Sequence, residues 1–246
     1  MSPGQKLAGL PNLRAIRLQA QGGGEAVPIL TERERAELAG MAVQVNYAAG
    51  SPIYREDEPS DFVYLLEEGV VRMSRATLHG GRQVIAFMWP GDAFGLSENG
   101  RYVNTAETLT AVHAHRLPAR RLERVLQEDA ELSFHLLVKG AHEMRAAQRH
   151  VLCLGQHDAV QRLARFLLDC RWETSCFDEA SATLALPMNR TDIADYLGTS
   201  IETIARALTR LERGKLILRK GSKTLQVLSA AGLEEIASGG NLTARV

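Results

Sequence analysis

Cysteine is scarce in this chain, which has only three among its 246 residues. They are Cys153, Cys170 and Cys176, an odd number without the Cys-x-x-Cys spacing of a zinc or redox motif. Neither a disulfide framework nor a structural zinc site is therefore expected.

Long hydrophobic runs and a dominant charge are also missing. The chain has no uninterrupted apolar run of the roughly 18 residues that a membrane-spanning helix needs, and no apolar signal segment follows Met1. We therefore expect a cytoplasmic protein without a membrane partner. Its 29 Lys and Arg residues balance its 29 Asp and Glu residues. A hydrophobic content of 45% is ordinary for a chain that holds two small domains.

Two short amphipathic helices are predicted within residues 190–213, separated by a turn at Gly198. Asn189 and Ser200 are the expected N-terminal caps, and Gly198 can take the left-handed conformation that a tight turn needs. The inward positions are Ile193, Ala194 and Leu197 in the first helix and Ile204, Leu208 and Leu211 in the second. The outward positions of the second helix are Glu202, Arg206, Arg210 and Arg213. This spacing is typical of a helix-turn-helix, whose second helix lies in the DNA major groove.

The segment after the second helix adds a hairpin and a local excess of positive charge. Residues 216–228 alternate in polarity around a turn at 220–223, which predicts a β-hairpin. From Arg206 to Lys223 there are seven Lys and Arg residues against one acid, Glu212. A basic stripe on a neutral chain is expected where DNA phosphates bind. We therefore predict a winged helix-turn-helix DNA-binding domain over 155–236, followed by a C-terminal tail at 237–246.

The first half of the chain has the turn spacing of a small antiparallel β-structure. Residues 1–30 include the glycines 22–24 and are expected to form a flexible N-terminal tail with one helical turn near Leu13 to Leu18. Helices are expected at 31–41 and 119–127, and alternating strand-like segments at 61–67, 70–75, 83–89 and 107–117. Turn residues separate these segments, which predicts a sensor-like β-roll or jelly roll over 31–128.

A long helix is predicted from Glu131 to Leu154, within a dimerisation segment at 129–154. Its apolar or small positions at alternating steps of three and four are Phe134, Leu137, Ala141, Met144 and Val151. Such a 3.5-residue repeat is typical of a two-stranded coiled coil, although Gln148 interrupts it. We therefore expect a homodimer. The alternative is that this stripe packs against the chain's own β-roll.

The order of β-roll, long helix and winged helix, with LPMNRTDIADYLGTSIETIARALTRLE at 186–212, resembles the Crp/Fnr family of bacterial transcription regulators. The resemblance implies an α+β fold with three parts. These are an N-terminal double-stranded β-roll like a cyclic-nucleotide-binding jelly roll, a long dimerisation helix and a C-terminal winged helix-turn-helix. It also implies a homodimeric regulator without enzymatic activity, acting as an activator. Its partners would be a palindromic double-stranded DNA operator and RNA polymerase.

Within the family, the second helix is similar to that of the Fnr and FixK branch, whose motif runs Glu-x-x-Ser-Arg. Here the motif is Glu202, Ala205 and Arg206, with Ala in place of Ser. Ile201 stands where cyclic AMP receptor proteins have Arg. The resemblance therefore implies a TTGA-type half-site, present in two inverted copies.

Four side chains of the second helix are candidates for reading bases. Arg206 can donate two hydrogen bonds to guanine O6 and N7, and Glu202 can accept one from a cytosine amino group. Ile201 and Ala205 offer methyl contacts to thymine. The candidates for phosphate contacts, which position the protein without reading sequence, are Thr191, Thr199, Ser200, Arg210, Lys215 and Lys220.

The sensory half departs from the ligand-binding patterns of the family. Members that bind cyclic nucleotides hold the phosphate with a Gly-Glu and an Arg-Ser pair, and the matching residues here are Gly95-Leu96 and Asn104-Thr105. A buried phosphate without a cationic partner is costly, so cyclic AMP is not expected. Oxygen-sensing members need an N-terminal cysteine cluster for iron and sulfur, but no cysteine precedes Cys153. We therefore expect no cofactor. The alternative is a β-roll that senses haem or another ligand.

Two other groups of residues suggest chemistry. His113 and His115 alternate on a predicted strand as cupin metal ligands do, but the carboxylate that such a site needs shortly afterwards is missing, so no metal site is expected. Cys170 and Cys176 precede the helix-turn-helix, and oxidation of either would repel DNA phosphates. A redox switch is one hypothesis for these cysteines, and small buried hydrophobic residues are the other.

Overall fold

The computed structural model describes residues 10–19, 23–77, 80–173 and 175–240. Their contacts divide them into two compact units. Unit 1 comprises the described residues of Met1–Ile16, Ala26–Val71 and Met88–His142, and unit 2 those of Arg17–Glu25, Arg72–Phe87 and Glu143–Val246. Residues 72–87 therefore belong with the C-terminal half of the chain.

The first group of elements comprises β1 (Arg14–Gln19), β2 (Gly23–Pro28), α1 (Glu32–Ala39), β3 (Val43–Tyr47), β4 (Pro52–Tyr54), β5 (Phe62–Glu68), β6 (Val71–Ala76), β7 (Arg82–Met88), β8 (Ala93–Phe94), β9 (Thr105–Thr108), β10 (Val112–Pro118) and α2 (Ala119–Glu128). The second comprises α3 (Ala130–Gln156), α4 (Ala159–Arg171), β11 (Phe177–Asp178), β12 (Thr183–Ala185), α5 (Arg190–Tyr196), α6 (Ile201–Arg213), β13 (Ile217–Arg219), β14 (Thr224–Val227) and α7 (Ala230–Ala237).

Unit 1 contains an antiparallel sheet with the strand order β3-β10-β5-β8. In this sheet Ala114 of β10 is aligned with Val45 on one side and with Leu66 on the other. Strands β4 and β9 form a second antiparallel pair. The core between these strands and the helices is formed by Leu10, Leu13, Leu30, Leu38, Met41, Val63, Leu65, Leu117, Leu122 and Leu132. These pairings are those of the expected antiparallel β-roll.

The N-terminal segment differs from the expected tail. The helical turn predicted near Leu13 to Leu18 is wrong, because residues 14–19 form β1, which pairs with β2. Leu10 and Leu13 are buried in the core of unit 1, so this part of the segment is not a free tail. Asn12 fixes it further, since its Oδ1 accepts hydrogen bonds from the backbone N–H groups of Ile29 and Leu30 at 3.1 and 2.8 Å. Residues 1–9 lie outside the described part of the chain.

The predicted strands are found with small shifts, but the segment at 107–117 contains two strands, β9 and β10. The break lies beside a tight turn at Gly69, which has a φ of +92°. A Cβ there would lie 2.3 Å from the carbonyl oxygen of Ala111, so the two loops can approach closely only at glycine. Strands β3, β4 and β8 were not predicted.

Unit 2 contains the helix-turn-helix and the wing. Helix α4 packs against both α6 and α7, and α5 packs against α6. The wing strands belong to a four-stranded sheet with the order β11-β12-β14-β13, of which only the last two strands were predicted. Strands β6 and β7 lie next to each other in this unit.

Helix α3 has 27 residues and begins in unit 1 and ends in unit 2. The predicted helix from Glu131 to Leu154 is thus confirmed and extends slightly at both ends. Among the described residues, no helix combines the length and apolar character that crossing a membrane requires. Of the tail predicted at 237–246, Ala237 ends α7 and is buried, whereas 241–246 lie outside the described residues.

Candidate nucleic-acid interface

The helix-turn-helix is fixed by caps at both of its helices. Asn189 and Asp192 form a capping box at α5, in which Asn189 Oδ1 accepts from the Asp192 N–H at 2.8 Å. Gly198 has a φ of +60° and lets the chain turn. Ser200 Oγ then accepts from the Thr203 N–H at 3.2 Å and caps α6.

Helix α6 separates an apolar face from a polar one, as its sequence predicts. The buried residues are Ile204, Ala207, Leu208 and Leu211. The four candidate base-reading residues, Ile201, Glu202, Ala205 and Arg206, are all exposed. Arg206 donates through Nη2 to Thr203 Oγ1 at 3.0 Å. The first two turns of α6 therefore present hydrogen-bonding groups and methyl groups together on one surface.

The basic stripe contains one acid, and this acid is paired with one of the stripe's own arginines. Its one acid, Glu212, lies 2.5 Å from Arg219 Nη2 and also accepts from the Arg219 backbone N–H at 2.9 Å. Hydrogen bonds from Arg219 lower the pKa of Glu212. Lys223 donates to the Pro187 carbonyl at 2.8 Å, which joins the wing to the segment before α5.

Most of the candidate phosphate contacts lie on the surface. Thr191, Ser200, Arg210, Lys215 and Lys220 are exposed, whereas Thr199 is half-buried. Lys215 has a φ of +54°, which belongs to the tight connection between α6 and β13. These residues lie in α5, in the turn before α6, in α6 itself and next to the first strand of the wing. Their contacts with DNA stay a prediction.

Most of the apolar stripe of α3 is exposed in the part of the chain that the structure describes. Four of its five residues, Phe134, Leu137, Met144 and Val151, have between 58% and 68% of their surface exposed. Ala141 is half-buried. The opposite side of α3 provides buried residues such as Leu132 and Lys139. For Phe134 and Leu137, which belong to the same unit as the β-roll, the alternative in which the stripe packs on the chain's own β-roll is therefore wrong.

Four aromatic rings pack together in unit 1, near the residues that replace the cyclic-nucleotide pattern. Tyr54 stacks on Tyr102 with a centroid distance of 3.6 Å, and Tyr64 stacks on Phe94 at 5.3 Å. Burial raises the pKa of Tyr54 well above its usual value. The Tyr54 hydroxyl donates to Asn104 Oδ1 at 3.2 Å.

The matching positions do not form an anion site. Leu96 is 61% exposed. Thr105 Oγ1 accepts from the Glu56 N–H at 3.1 Å, so it is already used by the backbone. Arg101 is exposed and donates to the Asp57 carbonyl. The residues present therefore do not fit the phosphate of a cyclic nucleotide.

The two histidines of β10 pair with acids. His115 is buried and its Nε2 lies 2.9 Å from Glu67 Oε2, while the exposed His113 lies 3.6 Å from Glu68. The pairing of β10 with β5 has a register shift between His113 and Ala114. Within the described ranges, no three His, Cys, Asp or Glu side chains are grouped as a metal site would require.

The cysteines before the helix-turn-helix lie in the interior. Cys170 and Cys176 are 3% and 5% exposed, and neither is in a disulfide. Burial raises the pKa of Cys170 far above its usual value and that of Cys176 to about 12. Because the thiolate is the reactive form, this environment disfavours the redox switch. The geometry is that of small buried hydrophobic residues.

Comparison with known proteins gives this arrangement a family. The Crp-like helix-turn-helix domain matches residues 161–236, and the cyclic nucleotide-binding domain matches 44–129. The transcriptional activatory protein AadR of Rhodopseudomonas palustris is 33% identical over 185 residues, which cover 75% of this chain and 77% of AadR. The chain belongs to the Crp/Fnr family of transcription regulators.

Its relatives include FixK proteins. The nitrogen fixation regulation protein FixK of Bradyrhizobium diazoefficiens is 31% identical over 210 residues, covering 85% of this chain and 88% of FixK. The solved structure of FixK2 from Bradyrhizobium japonicum matches with a TM-score of 0.73 at 33% identity, covering 79% of this chain and 96% of that one. These Crp/Fnr relatives are transcription regulators rather than enzymes. The fold class implied by the resemblance is confirmed.

Some residues that hold this interface in place have no local signal in the sequence. Arg72 and Arg82, in β6 and β7, form ion pairs with acids of α5 more than 100 residues later in the chain. Arg162 of α4 donates to the carbonyls of Leu154 and Leu197 at 2.6 and 3.0 Å. Such contacts depend on tertiary packing, so periodicity and spacing did not reveal them.

Proposed function

We propose that this Crp/Fnr regulator binds a TTGA-type palindrome as a homodimer and activates transcription, without cyclic AMP or an iron-sulfur cluster. The observation that carries the proposal is the exposed surface of α6, where Ile201, Glu202, Ala205 and Arg206 lie together. Arg206 can form the bidentate contact with guanine, and Glu202 can accept from the paired cytosine. Activation in the cytoplasm also makes RNA polymerase a partner, as the name of AadR as a transcriptional activator suggests.

The exposed stripe of α3 supports the homodimer. Large apolar side chains such as Phe134, Leu137 and Met144 are costly to leave in water, and their heptad spacing suits an identical helix related by a two-fold axis. Two recognition helices related in this way can bind half-sites about one DNA turn apart. The palindromic operator and the dimer therefore follow from the same symmetry.

The β-roll interior supports action without an effector. Stacked rings and Asn104 occupy the region of the cyclic-nucleotide pattern, and no described cysteine precedes Cys153 to ligate a cluster. A state able to bind DNA would then not depend on a ligand. Control of this regulator would lie in its synthesis or turnover.

The test is a DNA-binding titration of the purified protein in air. Specific binding to a TTGA-type palindrome without any added ligand is expected, with a scrambled duplex as the control. Adding cyclic AMP should change neither the affinity nor the heat signal in calorimetry. A gain of about tenfold or more in DNA affinity with cyclic AMP, equal to about 1.4 kcal/mol, would contradict the effector-free mechanism.

A further inference from the structure

Asp192 of α5 is a buried carboxylate that joins three elements of unit 2. It has 0% of its surface exposed. Its Oδ1 accepts from Arg72 Nη1 of β6 at 2.5 Å and from Arg82 Nη2 of β7 at 2.8 Å. Its Oδ2 accepts from the Asn189 N–H at 3.1 Å in the capping box. One side chain therefore both caps the first helix of the helix-turn-helix and attaches that helix to two strands.

The attachment continues along α5. Arg82 Nη2 also donates to Asp195 Oδ2 at 2.9 Å, and Gln83 donates to the Asp195 carbonyl. The Phe87 ring lies 5.2 Å from the Tyr196 ring at the end of the helix. We call Arg72, Arg82, Asp192 and Asp195 the hairpin clamp, after the neighbouring strands β6 and β7 that carry the two arginines. It extends from the first turn of α5 to the last.

The hairpin clamp balances two positive and two negative charges, and one of its ion pairs is buried. The side chains of Arg72 and Asp192 are only 7% and 1% exposed. Separating such a pair would leave buried charges without partners, which is strongly unfavourable. Helix α5 therefore has one strongly preferred position on β6 and β7. Because α6 packs on α5, the direction of the recognition helix is set by the same contacts.

We propose that Arg72 and Arg82 are positioning residues for DNA recognition. By holding α5, the hairpin clamp fixes the recognition helix in the orientation that binding to a palindrome requires, in place of a bound effector. These residues lie inside the segment matched by the cyclic nucleotide-binding domain, yet they belong to the compact unit of the helix-turn-helix. The inference rests on the proposed function, since it concerns how the same DNA site is oriented.

The experiment uses Arg72→Met in the full-length chain. A palindrome requires two recognition helices at one spacing, whereas a single half-site does not. We would measure affinity for palindromes whose spacer grows in single base-pair steps, and preference for guanine over adenine in an isolated half-site. Far-UV circular dichroism and sedimentation would confirm that the variant is folded and assembled like the wild type.

A positioning role predicts a specific combination of results. Arg72→Met should lose about tenfold or more in affinity for the correctly spaced palindrome, because linked binding of two half-sites is weakened. Its dependence on spacer length should flatten, while its guanine preference in a half-site stays unchanged. Unchanged spacer dependence would overturn the inference. Loss of the guanine preference would also overturn it, since the role would then be merely structural.

Further variants keep the test decisive if Arg72→Met does not fold. Arg82→Met removes a side chain that is 35% exposed and should flatten spacer dependence in the same direction. Arg33→Met is the matched control, because it breaks an Arg-Asp pair of 2.8 Å on the surface of unit 1. It should leave spacer dependence unchanged. A flattening as large as that of the clamp variants would contradict the inference.

A double variant tests whether the two side chains act together. Asp192→Asn combined with Arg72→Met restores the charge balance, so the two effects on palindrome affinity should not be additive. Strict additivity would show that the residues act independently and would overturn the inference. A wild-type protein that binds no palindrome would instead contradict the proposed function, and the inference with it, before any variant is compared.

Discussion

Glu202 and Arg206 lie one helical turn apart on α6, and their environment suits hydrogen bonding to a base pair. A hydrogen bond from its own backbone N–H and one from the Ser200 hydroxyl lower the pKa of Glu202, and the nearby Arg206 charge adds to this. Glu202 is therefore ionised near neutral pH and remains an acceptor. The Arg206 side chain is exposed, and its hydrogen bond to Thr203 Oγ1 holds the guanidinium at the surface of α6.

Replacing Arg206 by Ala tests direct readout at this residue. The variant should lose about 1–3 kcal/mol per half-site on a TTGA-type palindrome, because the bidentate contact with guanine is removed. A binding titration against duplexes with guanine or adenine at this position measures the effect. Full retention of the guanine preference would show that α6 is placed wrongly in the groove.

Lys220→Ala is the matched control for Arg206→Ala. Lys220 is exposed in the turn of the wing, where a phosphate contact is expected. Its loss should weaken binding to all sequences alike and reduce the slope of affinity against salt concentration, since one fewer counterion is released. A change in base preference would argue against a phosphate role.

At the level of the element, α3 presents two chemically different sides. Lys139 and His142 are buried, and Lys139 Nζ donates to the Arg14 carbonyl at 2.8 Å within unit 1. The other side exposes Phe134, Leu137, Met144 and Val151, together with Val138 and Leu152. Exposed apolar residues over most of a helix are typical of an interaction surface. We take this surface to be the same helix of a second copy.

Met144→Glu tests this interpretation of α3. It would place two like charges in the desolvated centre of the proposed dimer, at a cost of several kcal/mol per unpaired charge. Sedimentation should show a monomer, and palindrome binding should fall toward the non-specific level although α6 is unchanged. Gln156→Glu, an exposed change on α3 outside the stripe, is the control. A Met144→Glu protein that stays dimeric at micromolar concentration would rule out the proposed seam.

At the scale of the whole molecule, a buried ion cluster links acid conditions to stability. Asp92 accepts from the Trp89 N–H at 2.9 Å and lies 3.2 Å from both Arg14 and Lys139. Burial alone would raise the pKa of Asp92, but these two positive charges and the hydrogen bonds lower it below its usual 3.8. The carboxylate therefore stabilises the folded state above its unfolded pKa, and this contribution is lost as the pH falls through the lower folded value.

Chemical denaturation between pH 7 and about pH 3 measures this linkage. The free energy of unfolding should decrease as the pH falls below about 4. Asp92→Asn should reduce that dependence and cost about 3–5 kcal/mol at neutral pH, because Arg14 and Lys139 lose their buried counter-charge. Glu179→Gln, at an exposed carboxylate, is the control and should change the free energy little. Wild-type-like stability of Asp92→Asn would contradict the proposed link.

Local patterns in the sequence determined the helix-turn-helix, its caps and the heptad stripe of α3. Asn189, Gly198 and Ser200 act on neighbouring backbone groups, and apolar spacing decides which face of α6 is buried, so these features can be predicted without a fold. The antiparallel strands of the β-roll were predicted for the same reason. The split of 107–117 into two strands and the strand at Arg14–Gln19 were not predicted. The first lies where the loops at Gly69 and Ala111 approach closely, and the second pairs with β2, and neither feature has a local sequence pattern.

Only the tertiary structure decided how these parts are held together. From the sequence alone, Arg72 and Arg82 look like exposed residues of strands whose polarity alternates. Asp192 looks like a capping residue. The guanidinium groups of Arg72 and Arg82 lie 2.5 and 2.8 Å from Asp192 Oδ1. These contacts depend on packing between segments 110 or more residues apart. The burial of Cys170 and Cys176 likewise depends on how α4 packs in unit 2. The sequence alone determined which surface is suited to read DNA, whereas long-range charge pairing, which no local pattern encodes, decided how that surface is positioned.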